Sequence, residues 1–167
     1  MSPYISLLLT FAQIAATLTG FTGVVFVLGE RSQGRLDAHD SSALFHFLFS
    51  ALSTIFVSLL AALLLLLLAA DEHTAWRIAN GLSGFIHLFG AGRLMLDAWR
   101  QEAGALLRAS VPSTIGLVTG GISFAAALGQ LPRAEILVFM LATLWALAIT
   151  VISFVSLLMA PRRSGGR

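Results

Sequence analysis

From Ser42 to Ala70 no side chain is Asp, Glu, Lys or Arg, and the second half of that run reads AALLLLLLAA. The hydrocarbon core of a bilayer is about 30 Å thick and takes roughly 20 mostly apolar residues of helix to cross. A run of this length and character is a membrane span. Uncharged or nearly uncharged stretches recur at 4–29, 110–130 and 135–160, so little chain is left for loops. With 57% of 167 residues hydrophobic, 11% charged and a mean hydropathy of +0.91, the chain reads as all-α, a polytopic transmembrane helical bundle. We expect one transmembrane domain over residues 1–161 with five spans, at about 4–29, 42–70, 76–98, 110–130 and 135–160, and a short basic tail at 162–167. The start of the chain has neither a basic n-region nor a small-x-small cleavage site, so the first stretch is read as a span and not as a signal peptide.

The third span, within WRIANGLSGFIHLFGAGRLMLDAWR (76–100), decides the topology. At 100° per residue Asn80, Ser83, His87, Gly90, Arg93 and Asp97 share one arc, and Ile78, Leu82, Phe85, Phe89 and Leu96 face the other way. All ten basic residues are Arg. With five spans, Arg31, Arg35, Arg100, Arg108, Arg162, Arg163 and Arg167 fall on one side and Arg77 and Arg133 on the other, a positive-inside pattern with the N-terminus outside and the C-terminus cytoplasmic. The alternative is four spans plus an interfacial or re-entrant helix at 76–100. That arrangement spreads Arg across both sides, and the stripe lacks the strongly charged face of an interfacial helix.

Small residues indicate which spans approach closely. Ala12, Ala16, Thr19, Gly20 and Gly23 in the first span, and Gly116, Gly120, Gly121, Ala125 and Gly129 in the fourth, permit close backbone packing, with Pro112 suited to a first helical turn. The expectation is that spans one, three and four pack together, with Ala16, Gly20, Gly116 and Gly120 as packing positions. Spans two and five, bulky and aliphatic, would then shield them from lipid.

The segment Thr10–Gly29 (TFAQIAATLTGFTGVVFVLG), an Arg-bearing loop, a Leu-rich second span and a third opening on Trp76-Arg77 together resemble a widespread group of small five-span bacterial inner-membrane proteins. The resemblance implies five spans and a bacterial inner membrane; it implies no activity.

Depth along antiparallel helices puts Gln13 and Asn80 in the outer half, His87 near the midplane with Thr17, and Arg93, Asp97 and His46 near the inner face. These six, Gln13, Asn80, His87, Arg93, Asp97 and His46, form a candidate polar path, because ionisable groups inside a bilayer mark ion or proton routes. Interhelical hydrogen bonding accounts for the same residues without transport. The expected function is therefore an oligomeric channel or transporter for ions or protons. The alternative is a non-transporting accessory or assembly subunit of a larger membrane complex. A minor third reading is a haem- or quinone-binding anchor. The order His87, Arg93, Asp97 is similar to that of succinate dehydrogenase membrane anchors, but Asp97 stands one residue short of their Asp and Leu94 replaces their second His. Haem is disfavoured, since His46 lies too near the surface to pair with His87, and no cofactor is expected.

No P-loop, HExxH, GxSxG or strand-linked GxGxxG occurs, so no enzyme is expected. With no Cys and no metal-spaced His pair, no metal site is expected either. The expected partners are the lipid bilayer, further copies of the chain or a larger membrane complex. Nucleic acid is not among them, because the Arg residues are scattered between apolar segments.

Overall fold

The computed structural model describes residues 3–33, 38–99 and 103–159, with side chains at 4–24, 44–99 and 110–155. The tail at 162–167, Arg35 and Arg100 lie outside the described residues, as do the side chains of Arg31 and Arg108. Five helices follow one another: α1 (Pro3–Gln33), α2 (Ala38–Leu67), α3 (Glu72–Trp99), α4 (Ala103–Ala127) and α5 (Glu135–Met159). Four of them contain a stretch long and apolar enough to cross a membrane, at Tyr4–Val24, Leu44–Leu67, Ser110–Ala127 and Glu135–Val155. The protein is thus a small all-helical integral membrane protein. α3 falls below that measure because its polar arc and the charges at Arg77, Arg93 and Asp97 dilute its hydropathy.

α3 begins where Asp71 caps it: Asp71 Oδ1 accepts from the Thr74 N–H at 3.1 Å and Oδ2 from the Thr74 hydroxyl at 2.6 Å. The Thr74 hydroxyl and N–H hold the Asp71 carboxyl below the usual carboxylate range. A carboxyl whose pKa is depressed by folding stabilises the fold above its unfolded pKa, and that contribution disappears as pH falls through the folded pKa. Asp71→Ala should therefore lower the thermal unfolding midpoint at neutral pH. The difference from the parent should vanish in acid, as circular dichroism melts across pH would show.

α4 ends in a Schellman turn, with Gly129 N–H on Ala126 O and Gln130 N–H on Ala125 O, both at 3.0 Å, and Gly129 at φ 75°. Pro112, expected in the first turn, lies well inside α4, where it withholds one N–H from the helix.

The packing differs from the expected arrangement. α3 and α4 do lie together, antiparallel, through Gly84, Gly116 and Gly120. α1, however, packs on α2 and α5, and Gly20 and Gly23 have nothing within 4 Å of an added Cβ. Ala16 is also exposed. Nor are α2 and α5 a mere outer shield, for they meet along a seam of hydroxyls. Ser50 donates to Ala146 O at 2.8 Å and lies 2.9 Å from Thr150 Oγ1, while Thr54 and Thr143 are buried and satisfied by their own preceding turns. Small hydroxyls let backbones approach as small apolar residues do, and they keep their hydrogen bonds as well. One side of AALLLLLLAA is likewise interior. Ala61, Ala62 and Leu65 join Ile5, Leu8, Trp76, Ala79 and Phe139 in one core, while Leu63, Leu66 and Leu67 point outward.

α3 runs parallel to α5 in constant register. Asn80 meets the Glu135 carbonyl and His87 meets that of Ala142, each 55 residues on.

Candidate functional site

Three polar centres are strung along α3. The first joins its N-terminal end to the α4–α5 turn. Glu135, opening α5, is 2% exposed; its Oε1 accepts from Arg77 Nε at 3.0 Å and its Oε2 from His73 Nδ1 at 2.8 Å. A carboxylate in the first turn of a helix is further favoured by the helix dipole. The Arg77 guanidinium packs so close to Gly129 that a Cβ there would sit 2.6 Å from Nη2. Gly129 is favoured for its positive φ, while the guanidinium, at the end of a flexible side chain, could give way to a Cβ. One turn deeper, fully buried Asn80 donates through Nδ2 to Trp76 O and to Glu135 O, both at 2.9 Å. Trp76 closes the cluster, ringed by Tyr4 and Phe139.

The second centre is His87. Its Nδ1 lies 2.8 Å from Ser83 O and its Nε2 3.1 Å from Ala142 O. Carbonyl oxygens only accept, so a neutral ring satisfies one of them at a time and an imidazolium satisfies both. A ring that carries its proton on Nε2 fastens α3 to α5, whereas the Nδ1–H tautomer bonds only Ser83 on its own helix.

The third centre lies at the far end. Asp97 Oδ2 is 3.2 Å from Arg93 Nε on the same helix and 3.6 Å from His46 Nε2 on α2, and Arg93 stands over the Phe45 ring at 5.9 Å from its centroid. Of the six path residues, Arg93, Asp97 and His46 therefore come together. Asn80 and His87 lie on the same helix, with Asn80 Nδ2 and the His87 ring turned to backbone carbonyls. Gln13 is not with them: it is on the outward face of α1.

Sequence reasoning missed the Glu135–Arg77–His73 cluster. The available signal was an acid two residues after the Leu131-Pro132-Arg133 turn, at the head of an apolar run; the sequence reading takes it only as a boundary, and Arg77 only as a topology marker. It also missed a cleft of about 500 Å³ between α2, α3, α4 and α5, walled by His46, Ser53, His87, Pro112, Gly116 and Trp145 among others. Such a space depends on how far α4 and α5 diverge, which no local pattern encodes. Compared with protein-family models, with curated proteins and with solved structures, the chain matches none.

Proposed function

We propose that the protein is a non-transporting accessory or assembly subunit that docks in a larger membrane complex, or on copies of itself, through the outer face of α1. One observation carries this reading. Ser6, Thr10, Gln13, Thr17 and Gly20 succeed one another at helical spacing on the exposed side of a membrane-spanning helix, with Gln13 near the middle of Tyr4–Val24. A primary amide facing hydrocarbon has no water to bond, and an approaching helix supplies both the partner and close backbone packing at Gly20 and Gly23. The ion or proton path has less support. It needs a wettable series of groups, whereas Asn80 and His87 are engaged by carbonyls and Gln13 lies elsewhere.

We further propose that α3 is a fifth crossing, in a bacterial inner membrane, with the N-terminus outside. The constant register with α5 supports this, as does the uncharged stretch Ile78–Gly92, about 22 Å long at 1.5 Å per residue, between two Arg side chains able to snorkel. Reporter fusions at the two ends should report opposite sides of the membrane; the same side for both would return α3 to the interface.

The docking role is tested by Gln13→Leu and Gly20→Leu, assayed by size and co-purification in mild detergent. Both variants should fold normally yet shift from the larger assembly toward a single chain. Loss of a membrane interhelical contact worth about 1 kcal/mol is a several-fold change in association. The parent protein should also give no proton or ion flux in liposomes. A monomeric parent with no companion, or a His87-dependent flux, would overturn the reading.

A further inference from the structure

The cleft between α2, α3, α4 and α5 has a position and length that select its occupant. Its volume, about 500 Å³, falls in the range of small-molecule and lipid sites, roughly 300–1,000 Å³. Val111 on α4 and Ile152 on α5 line it and are 63% and 57% exposed, so its mouth opens sideways between those helices and faces the bilayer. At one end, His46 stands six residues after Asp40 and 3.6 Å from Asp97, and Val111 stands three residues after Arg108. Its inner end reaches Ile86, His87 and Trp145. From Ser153 to Trp145 is about 12 Å of helix, close to the half-thickness of a hydrocarbon core of about 30 Å. The cleft therefore runs from the charged end of the bundle toward its apolar middle.

Its walls are almost wholly apolar, and an apolar space of this size neither holds water well nor stays empty beside fluid chains. The polar atoms are distributed unevenly. His87 turns both nitrogens to the Ser83 and Ala142 carbonyls. His46 Nε2, at the charged end, is buried without a hydrogen-bond partner among the described residues and has only the Asp97 carboxylate at 3.6 Å.

We propose that the cleft binds one acyl chain of a membrane glycerophospholipid from the leaflet at this end, with its headgroup beside the His46, Arg93 and Asp97 cluster. The chain enters between Val111 and Ile152 and ends against Trp145. The site does not depend on the docking role of α1, and the two stand or fall by different measurements.

Native mass spectrometry tests it, using protein incubated in detergent with phosphatidylglycerol carrying one palmitoyl and one oleoyl chain. The parent should keep one lipid per chain at activation energies that strip detergent. Ala146→Phe fills the cleft and Val111→Trp obstructs its mouth; each should lower occupancy by about tenfold or more. Leu141→Phe, on the outward face of α5, should leave it unchanged. Should Ala146→Phe fail to fold, Val111→Trp decides, since its side chain sits at an exposed rim. A parent without retained lipid, or rim and outward-face variants with equal occupancy, would overturn the proposal. So would a solvent extract of the purified protein holding a quinone or other isoprenoid in place of a glycerolipid.

Discussion

Gly84→Leu should separate α3 from α4 and destabilise the protein by about 3 kcal/mol or more, the upper end of what overpacking costs. A Cβ on Gly84 already meets Phe124 Cδ2 at 2.9 Å, Gly120 O at 3.0 Å and Phe124 N at 3.2 Å. Two of those three atoms are backbone, so no rotamer change relieves the clash. Gly120→Leu should be nearly as costly, because its Cβ would stand 2.8 Å from Leu88 Cγ and 3.1 Å from Gly84 O. Gly121→Leu is the internal control, one residue along the same helix with nothing within 4 Å; it should change stability by no more than about 0.5 kcal/mol. Unfolding in mixed micelles with rising dodecyl sulfate measures all three. Equal stability of Gly84→Leu and Gly121→Leu would mean that α3 and α4 are not in this contact.

The same glycines show where sequence reasoning reached and where it stopped. Gly116 and Gly120 were legible as packing positions, because an apolar helix poor in large side chains gains most from backbone approach. Their partner on α3 was not singled out: Gly84 lies outside the polar arc for which that helix was read. Ala16 and Gly20 carry the same local signal yet face outward, since spacing states that a helix can be approached but not by what. The membrane class and the helices themselves follow from apolar runs such as Ser42–Ala70, which no soluble fold would leave uncharged for that distance. The central place of α2 and α5 was hidden, because hydroxyls at Ser50, Thr54, Thr143 and Thr150 look unremarkable among Leu and Ala until two faces are set together. Depth estimates placed His87 and Asn80 on α3 and put Arg93, Asp97 and His46 at one level, but depth carries no azimuth. Gln13 therefore seemed to share a path from which the direction of α1 removes it.

Removing either partner of the Glu135–Arg77 pair should have unequal effects, because the two groups are buried to different degrees. Glu135 is 2% exposed and Arg77 44%. Arg77→Leu leaves a buried carboxylate with the His73 ring, itself mostly exposed, as its remaining side-chain contact; removing one partner of a buried ion pair costs up to about 3–5 kcal/mol. Glu135→Gln keeps the side-chain shape and frees an Arg that can turn toward water or headgroups, a loss nearer 1 kcal/mol, as for a solvent-accessible ion pair. The Asn80 bond to the Glu135 carbonyl is a backbone contact and should survive both changes. The double variant Arg77→Leu/Glu135→Leu removes both charges and should recover most of the loss, since no carboxylate is then left buried without its guanidinium. Unfolding free energies for the two single variants and the double variant give the coupling directly. If Glu135→Gln proved as damaging as Arg77→Leu, or the double variant were worse than either, the cluster would be acting through something other than the burial of one carboxylate.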